Sequence, residues 1–159
     1  MPAVADPCPI ARSLRAVHAR FQPLADGAVA TYIPELARAN PAWFGICLAT
    51  ADGHVYEVGD TRQPFTIQSI SKPFVYGLAL EDRGRPAVLE RIGVEPSGEA
   101  FNEISLERAT GRPLNPMINA GAIIATSLVA GASPEERWAR LLALLSLYAG
   151  RGLRLDETV

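Results

Sequence analysis

Lysine is nearly missing from this 159-residue chain: Lys72 stands alone beside fourteen arginines. Lysine-rich binding tracts are thereby excluded. The near balance of charge, net −2, leaves no basic footprint for nucleic acid and no attraction to an anionic membrane surface. Cysteine is equally sparse. Cys8 and Cys47 are the two thiols, neither with histidine or cysteine at ligand spacing, which argues against a disulfide framework and against zinc. No metal or other cofactor is expected. The two histidines, His18 in a helical stretch and His54 in a hairpin, have no partner at catalytic spacing, so both read as surface or packing residues. Long apolar runs are absent too. The one stretch worth weighing, residues 141–145, is short and follows Arg137 and Arg140, so it reads as a core-facing helix and not as a membrane span. No basic segment followed by an apolar one opens the chain, and a cytoplasmic location is the expectation. What remains is 48% hydrophobic and 20% charged, without a low-complexity tract, the composition of one globular domain able to bury a core.

The solitary lysine lies in Gln68-Ser69-Ile70-Ser71-Lys72-Pro73. Guanidinium stays charged, whereas a partly buried amine can lose its proton and serve as a base. A serine three residues before such an amine lies on the same helical face, within reach of proton transfer, which is how a weak hydroxyl nucleophile is activated. Ser69 has that spacing; Ser71, adjacent to the lysine, points to a different face. Eight serines in 159 residues place one at this spacing by chance about 5% of the time. The spacing is suggestive and does not decide the matter alone.

Periodicity organises the rest. Residues 10–22 and 27–39 carry apolar positions at three- and four-residue steps, with Pro34 set to kink the second helix or move its start. An apolar run over 43–50, an Ala51-Asp52-Gly53 turn and alternation over 54–58 predict a β-hairpin. Residues 65–67 suit another short strand leading into a helix over 69–83, which tolerates Pro73 in its first turn and ends at Gly84. A helix over 86–92 precedes a long irregular stretch, 93–117, and then a small-residue helix over 119–130 suited to close burial. The last helix has a clear start: Ser133 as N-cap, Pro134 at the first helical position, and Glu135 and Glu136 against the dipole, continuing to Ala149 and stopping at Gly150. Helices, hairpin, helices: an α+β or mixed α/β domain is expected.

Inside the long stretch, Asn115-Pro116-Met117-Ile118-Asn119-Ala120-Gly121-Ala122 sets two carboxamides on either side of a turn. A carboxamide both donates and accepts and so can read an amide or an amino-acid head group, but asparagines also serve as caps and turn formers. Tyr32 offers a hydroxyl to a substrate or, as a lone tyrosine on an apolar helix, packs in the core. Glu95, Glu99, Asn102 and Glu103 read as solvated loop residues.

Four blocks carry a resemblance: Tyr32-Ile33-Pro34-Glu35-Leu36, Phe65-Thr66-Ile67-Gln68-Ser69-Ile70-Ser71-Lys72, Glu95-Pro96-Ser97-Gly98 and Asn115-Pro116-Met117-Ile118-Asn119-Ala120-Gly121-Ala122-Ile123. In order and spacing they are similar to the signature blocks of the bacterial glutaminases, across most of residues 25–130. The resemblance implies a β-lactamase/transpeptidase-like fold, a helical cluster beside an antiparallel sheet, here in part. It implies metal-free hydrolysis of L-glutamine to L-glutamate and ammonia. It makes Ser69 the nucleophile and Lys72 its activating amine, Asn119 a substrate contact and Tyr32 a second one. Ser69 would attack the side-chain amide, and water would hydrolyse the γ-glutamyl ester, with the Ser69 backbone N–H in an oxyanion hole. Homo-oligomers are usual in that family.

Members of that family are about twice as long. Residues 1–159 are therefore expected to be the N-terminal portion of a single glutaminase domain. The downstream glutamate, asparagine and tyrosines that line the family's pocket, and the strands that complete its sheet, would be lacking. Exposed apolar surface and an open strand edge should follow. Two alternatives stand beside glutaminase activity: a non-catalytic remnant or interaction module, and a penicillin-binding or β-lactamase-like hydrolase using the same serine and lysine.

Overall fold

The computed structural model describes residues 8–100 and 102–157. They fall into two compact units, one running to Phe65 and including the chain from Asp156, the other spanning Thr66–Leu155.

In the first unit, α1 covers Pro9–Phe21, where the apolar stripe predicts it. The helix expected over 27–39 shrinks to one turn, α2, Pro34–Ala37. Pro34 explains the loss. Its ring bars the preceding residue from helical geometry, and Ile33 is accordingly extended at φ −123°, ψ 124°. The hairpin forms as expected from β1, Gly45–Ala49, and β2, Val55–Gly59, antiparallel with Gly45 opposite Gly59 and Ala49 opposite Val55. Across its turn the Thr50 N–H donates to His54 O at 2.9 Å, and His54 pairs with Asp52 at 3.2 Å in solvent. His18 joins α1 to the hairpin. Its Nε2 donates to Phe44 O at 3.1 Å and its ring stacks on Phe44 at 4.8 Å, which makes it the packing residue its isolation suggests. Among the described residues this sheet has two strands, so each keeps an unpaired edge.

The second unit is helical. No strand forms at 65–67. Ile67 is already right-handed at φ −64°, ψ −30° and leads into a 3₁₀ turn, Gln68–Ile70. The helix α3, Ser71–Leu89, follows without a gap and is broken at Gly84 (φ 75°, ψ 154°), a left-handed angle that suits glycine, with Pro86 restarting it. The two expected helices, 69–83 and 86–92, thus meet at the expected break, Gly84. Beyond it, α4 spans Asn119–Leu128 and α5 spans Pro134–Tyr148. The Ser133 hydroxyl caps α5 by accepting from the Glu136 N–H at 3.2 Å. Val75, Leu78 and Ala79 of α3, Ala125 of α4 and Leu141 of α5 share one core with Val88, Ile92 and Val129. The three- and four-residue steps between Val75, Leu78 and Ala79 are those of one buried stripe on α3.

Two polar devices fix the three helices. The Asp82 carboxylate takes both terminal nitrogens of Arg140 at 2.7 Å and the Ala130 N–H at 2.7 Å. Arg83 Nε donates to Leu128 O at 2.8 Å. The end of α4, where carbonyls lack intrahelical donors, is therefore closed by charges from α3 and α5. The long stretch between α3 and α4 is ordered by backbone bonds, Gly93 N–H to Pro113 O at 2.8 Å and Glu95 N–H to Leu114 O at 3.0 Å. Arg112 spans it, donating to Glu107 Oε2 at 2.8 Å and to the Leu89 carbonyl.

Gly121 lets that stretch press onto α4. A Cβ there would stand 1.9 Å from Asn115 O and 2.9 Å from Pro116 Cα, both backbone atoms that cannot swing aside. Gly121→Ala should lower the unfolding free energy by about 1–3 kcal/mol. Gly77→Ala, on the exposed side of α3 with nothing within 4 Å, should raise it by about 0.5–1 kcal/mol. Urea unfolding of both variants reads the contrast, and equal effects would refute the close approach.

The Arg140 guanidinium holds the Asp82 carboxyl below the usual carboxylate range, aided by the Ala130 N–H and opposed by burial. A depressed folded-state value means stabilisation that is present above the unfolded pKa and is lost as pH falls through the folded one. Asp82→Asn should cost most near neutrality, and its deficit against wild type should shrink in acid. Parallel urea titrations across pH 2–7 check the sign.

Candidate active site

Ser69 is exposed, on the 3₁₀ turn that runs directly into α3, and Lys72 is half-buried in the first turn of that helix. Residues three apart eclipse one another in 3₁₀ geometry and share a face in an α-helix, so the continuous run keeps hydroxyl and amine on one side. Lys72 Nζ donates to Met117 O and to Asn119 Oδ1, both at 2.8 Å. Burial draws its pKa below the ordinary lysine value. Both oxygens suit the ammonium and the neutral amine alike, because the neutral form still carries two N–H groups.

The opposite wall is built by a turn. Asn115 Oδ1 accepts from the Met117 N–H at 3.0 Å and the Ile118 N–H at 3.2 Å, while its Nδ2 donates to Glu95 O at 2.9 Å. Asn115 is therefore the turn former its alternative reading proposes. Asn119 is not a cap. Extended Ile118 holds the N-cap position of α4, and the Asn119 carboxamide, at the first helical position, turns to Lys72. The carbonyl of Met117 is the contact that sequence reasoning missed; a main-chain oxygen has no side-chain signature, and only its place in the turn could have flagged it.

Tyr32 belongs to the first unit, where it is 77% exposed just before α2. The core-packing reading is overturned: with the helix starting only at Pro34, no apolar face takes the ring in. Glu95, Glu99, Asn102 and Glu103 are exposed, as solvated loop residues are. Glu99 also accepts the buried Ser105 hydroxyl. A small apolar cavity of about 150 Å³, lined by Ile67, Phe74, Leu145, Tyr148, Ala149 and Leu153, lies in the same unit and includes none of the candidate residues. Among the described residues no three histidine, cysteine, aspartate or glutamate side chains cluster as metal ligands, and no helix is long and apolar enough to cross a membrane. A hydroxyl on a helix-opening turn, followed by a desolvated amine held by two oxygens, is an arrangement suited to nucleophilic attack on a carbonyl.

Comparison with known proteins places the chain in a family. The family model for glutaminase matches residues 27–159. The glutaminase of Nostoc sp. is 53% identical over 153 residues, 96% of this chain and 46% of that protein. Glutaminase 1 of Bradyrhizobium diazoefficiens is 53% identical over 151 residues, 95% of this chain and 24% of that protein. The chain thus spans less than half the length of these relatives. Among solved structures, Mglu in its glutamate form superposes with a TM-score of 0.86 at 48% identity, covering 94% of this chain and 35% of that one. A probable glutaminase from Bacillus subtilis complexed with 6-diazo-5-oxo-L-norleucine does so with a TM-score of 0.81 at 34% identity, covering 100% and 47%. The helices with a small antiparallel sheet are part of the serine-dependent, β-lactamase-like fold of those glutaminases. The chain belongs to the glutaminase family.

Proposed function

We propose that this chain carries the nucleophile and base of a glutaminase that hydrolyses L-glutamine to L-glutamate and ammonia. The observation that carries the proposal is Lys72: a lone lysine, desolvated, held by Met117 O and Asn119 Oδ1, one turn after an exposed serine. Those two oxygens orient Nζ, and we assign one further position on it to Ser69 Oγ. In the neutral amine that position holds the lone pair, which takes the hydroxyl proton as Oγ attacks the side-chain amide carbon. The proton then passes to the leaving nitrogen, ammonia departs, and water hydrolyses the γ-glutamyl ester by the same relay in reverse. Asn119, fixed on one side by the amine, keeps its Nδ2 for the substrate. The Ser69 backbone N–H serves the oxyanion hole. Tyr32 is proposed as a second substrate contact; its exposed hydroxyl is compatible with that role.

A second reading follows from length. The chain spans 46% of its Nostoc relative, and on this reading residues 1–159 act as a non-catalytic interaction module. Large exposed apolar side chains, Phe65 at 80% and Leu147 at 76%, fit such a module. The β-lactam hydrolase alternative has no support beyond the serine and lysine.

Ammonia and glutamate release from L-glutamine by the purified chain separates the readings, with circular dichroism confirming folded protein. Turnover should fall by about 10²–10⁴-fold in Lys72→Arg, whose guanidinium keeps its proton, and vanish in Ser69→Ala. Because the amine must be deprotonated, activity should be lost as pH falls through the folded-state pKa of Lys72, and burial sets that limb below the ordinary lysine range. Undiminished turnover in Lys72→Arg would sink the base assignment, and a folded but inactive wild type would favour the second reading.

A further inference from the structure

Gln68, at φ 45°, is the one non-glycine residue among those described that adopts the left-handed region. An L side chain there crowds the following carbonyl, so the conformation persists only where neighbours hold it. Its surroundings are right-handed: Ile67 at φ −64°, ψ −30° and Ile70 at φ −59°, ψ −25°. The change of hand falls on the residue immediately before Ser69.

Bonds close around it on both sides. Gln68 Nε2 donates to Thr66 Oγ1 at 2.9 Å. Gln68 O accepts the Ser71 hydroxyl at 2.8 Å and also the Ser71 N–H. The Ile70 N–H donates to Ile67 O at 3.1 Å and completes the turn. A glycine could adopt the same angle without crowding, but it would reach many other angles equally well. Gln68 differs in having a side chain that can be tied down.

We propose that Gln68 is a positioning residue, its left-handed backbone pinned by the Thr66 and Ser71 hydroxyls so that Ser69 is presented to solvent on a fixed turn one step ahead of Lys72. The purpose of this device rests on the reading of Ser69 as nucleophile; its mechanical part does not. The pinning also explains why the turn carries hydroxyls at both 66 and 71: one holds the side chain of Gln68 and the other its carbonyl.

The test compares Gln68→Gly, Gln68→Asn and Thr66→Val with wild type by two measurements. Amide hydrogen exchange reads the turn at Ile70 and Ser71, with Val75 and Leu78 in α3 as internal references. Labelling by 6-diazo-5-oxo-L-norleucine, followed by intact mass with Ser69→Ala as control, reads the hydroxyl. Gln68→Gly and Thr66→Val should speed exchange at Ile70 and Ser71 by about tenfold with the references and thermal midpoint unchanged. Labelling should slow in step. Gln68→Asn, which tolerates the left-handed region, should retain more of both than glycine does. Wild-type exchange in Gln68→Gly and Thr66→Val overturns the proposal, whatever the labelling. Faster exchange in a protein whose wild type resists the label upholds the pinning and removes the nucleophile reading instead.

Discussion

A missing side chain sets the geometry of the second unit. At Gly121 the Asn115 carbonyl lies 1.9 Å from where a Cβ would stand, so the loop between α3 and α4 can lie on the helix it introduces. From that approach the rest follows locally. Asn115 folds its own carboxamide over the next two backbone N–H groups, which delivers Met117 O and Asn119 Oδ1 to the same amine. A larger residue at 121 would lift the turn, and both oxygens would leave with it. The small-residue character of α4 is thus more than a packing convenience: it governs where the polar wall of the candidate site can stand.

The second demand on α3 is that its first turn stay in place while polar groups surround it. The helix is anchored at two levels. Val75, Leu78 and Ala79 bury the side facing α4, and Asp82 with Arg83 grips the far end of α4 and the middle of α5. The Asp82–Arg140 bond is bidentate, which fixes orientation as well as distance. Lys72 lies one turn before Val75 and inherits that rigidity. Preorganisation of this kind is what a nucleophile requires, since a group free to wander loses most of the benefit of proximity.

Much of this was legible in the sequence, and the reasons for the gaps are physical. Ser69 and Lys72 announce themselves by spacing and by the scarcity of lysine; α1, the hairpin and α5 follow from periodicity and from turn and cap residues. Alternatives closed where a partner came from afar. Asn119 reads equally well as a cap until Lys72, 47 residues earlier, is seen to occupy its oxygen. The helix expected over 27–39 shrinks because Pro34 moves its start, one of the two effects its place in the pattern allows, and the core alternative for Tyr32 is lost with it. The strand expected over 65–67 failed because β-favouring residues yield to the backbone reversal at Gln68, which no propensity scale contains. The Met117 carbonyl is invisible to any reading by side-chain type.

The choice of lysine over arginine at position 72 draws these strands together. In a chain that otherwise uses guanidinium, an ammonium has one property guanidinium lacks: burial can take its proton away. Deprotonation of a buried amine normally threatens the structure around it, because neighbours arranged for a cation lose their partner. Two of its partners here are a main-chain carbonyl and a carboxamide oxygen, neither of them charged. A carboxylate in either place would hold the proton on the lysine and raise its pKa. Neutral oxygens orient the nitrogen through two N–H groups that survive the loss of the third proton. The amine can therefore change charge without giving up these two contacts, which the proposed role of Lys72 as a base would require.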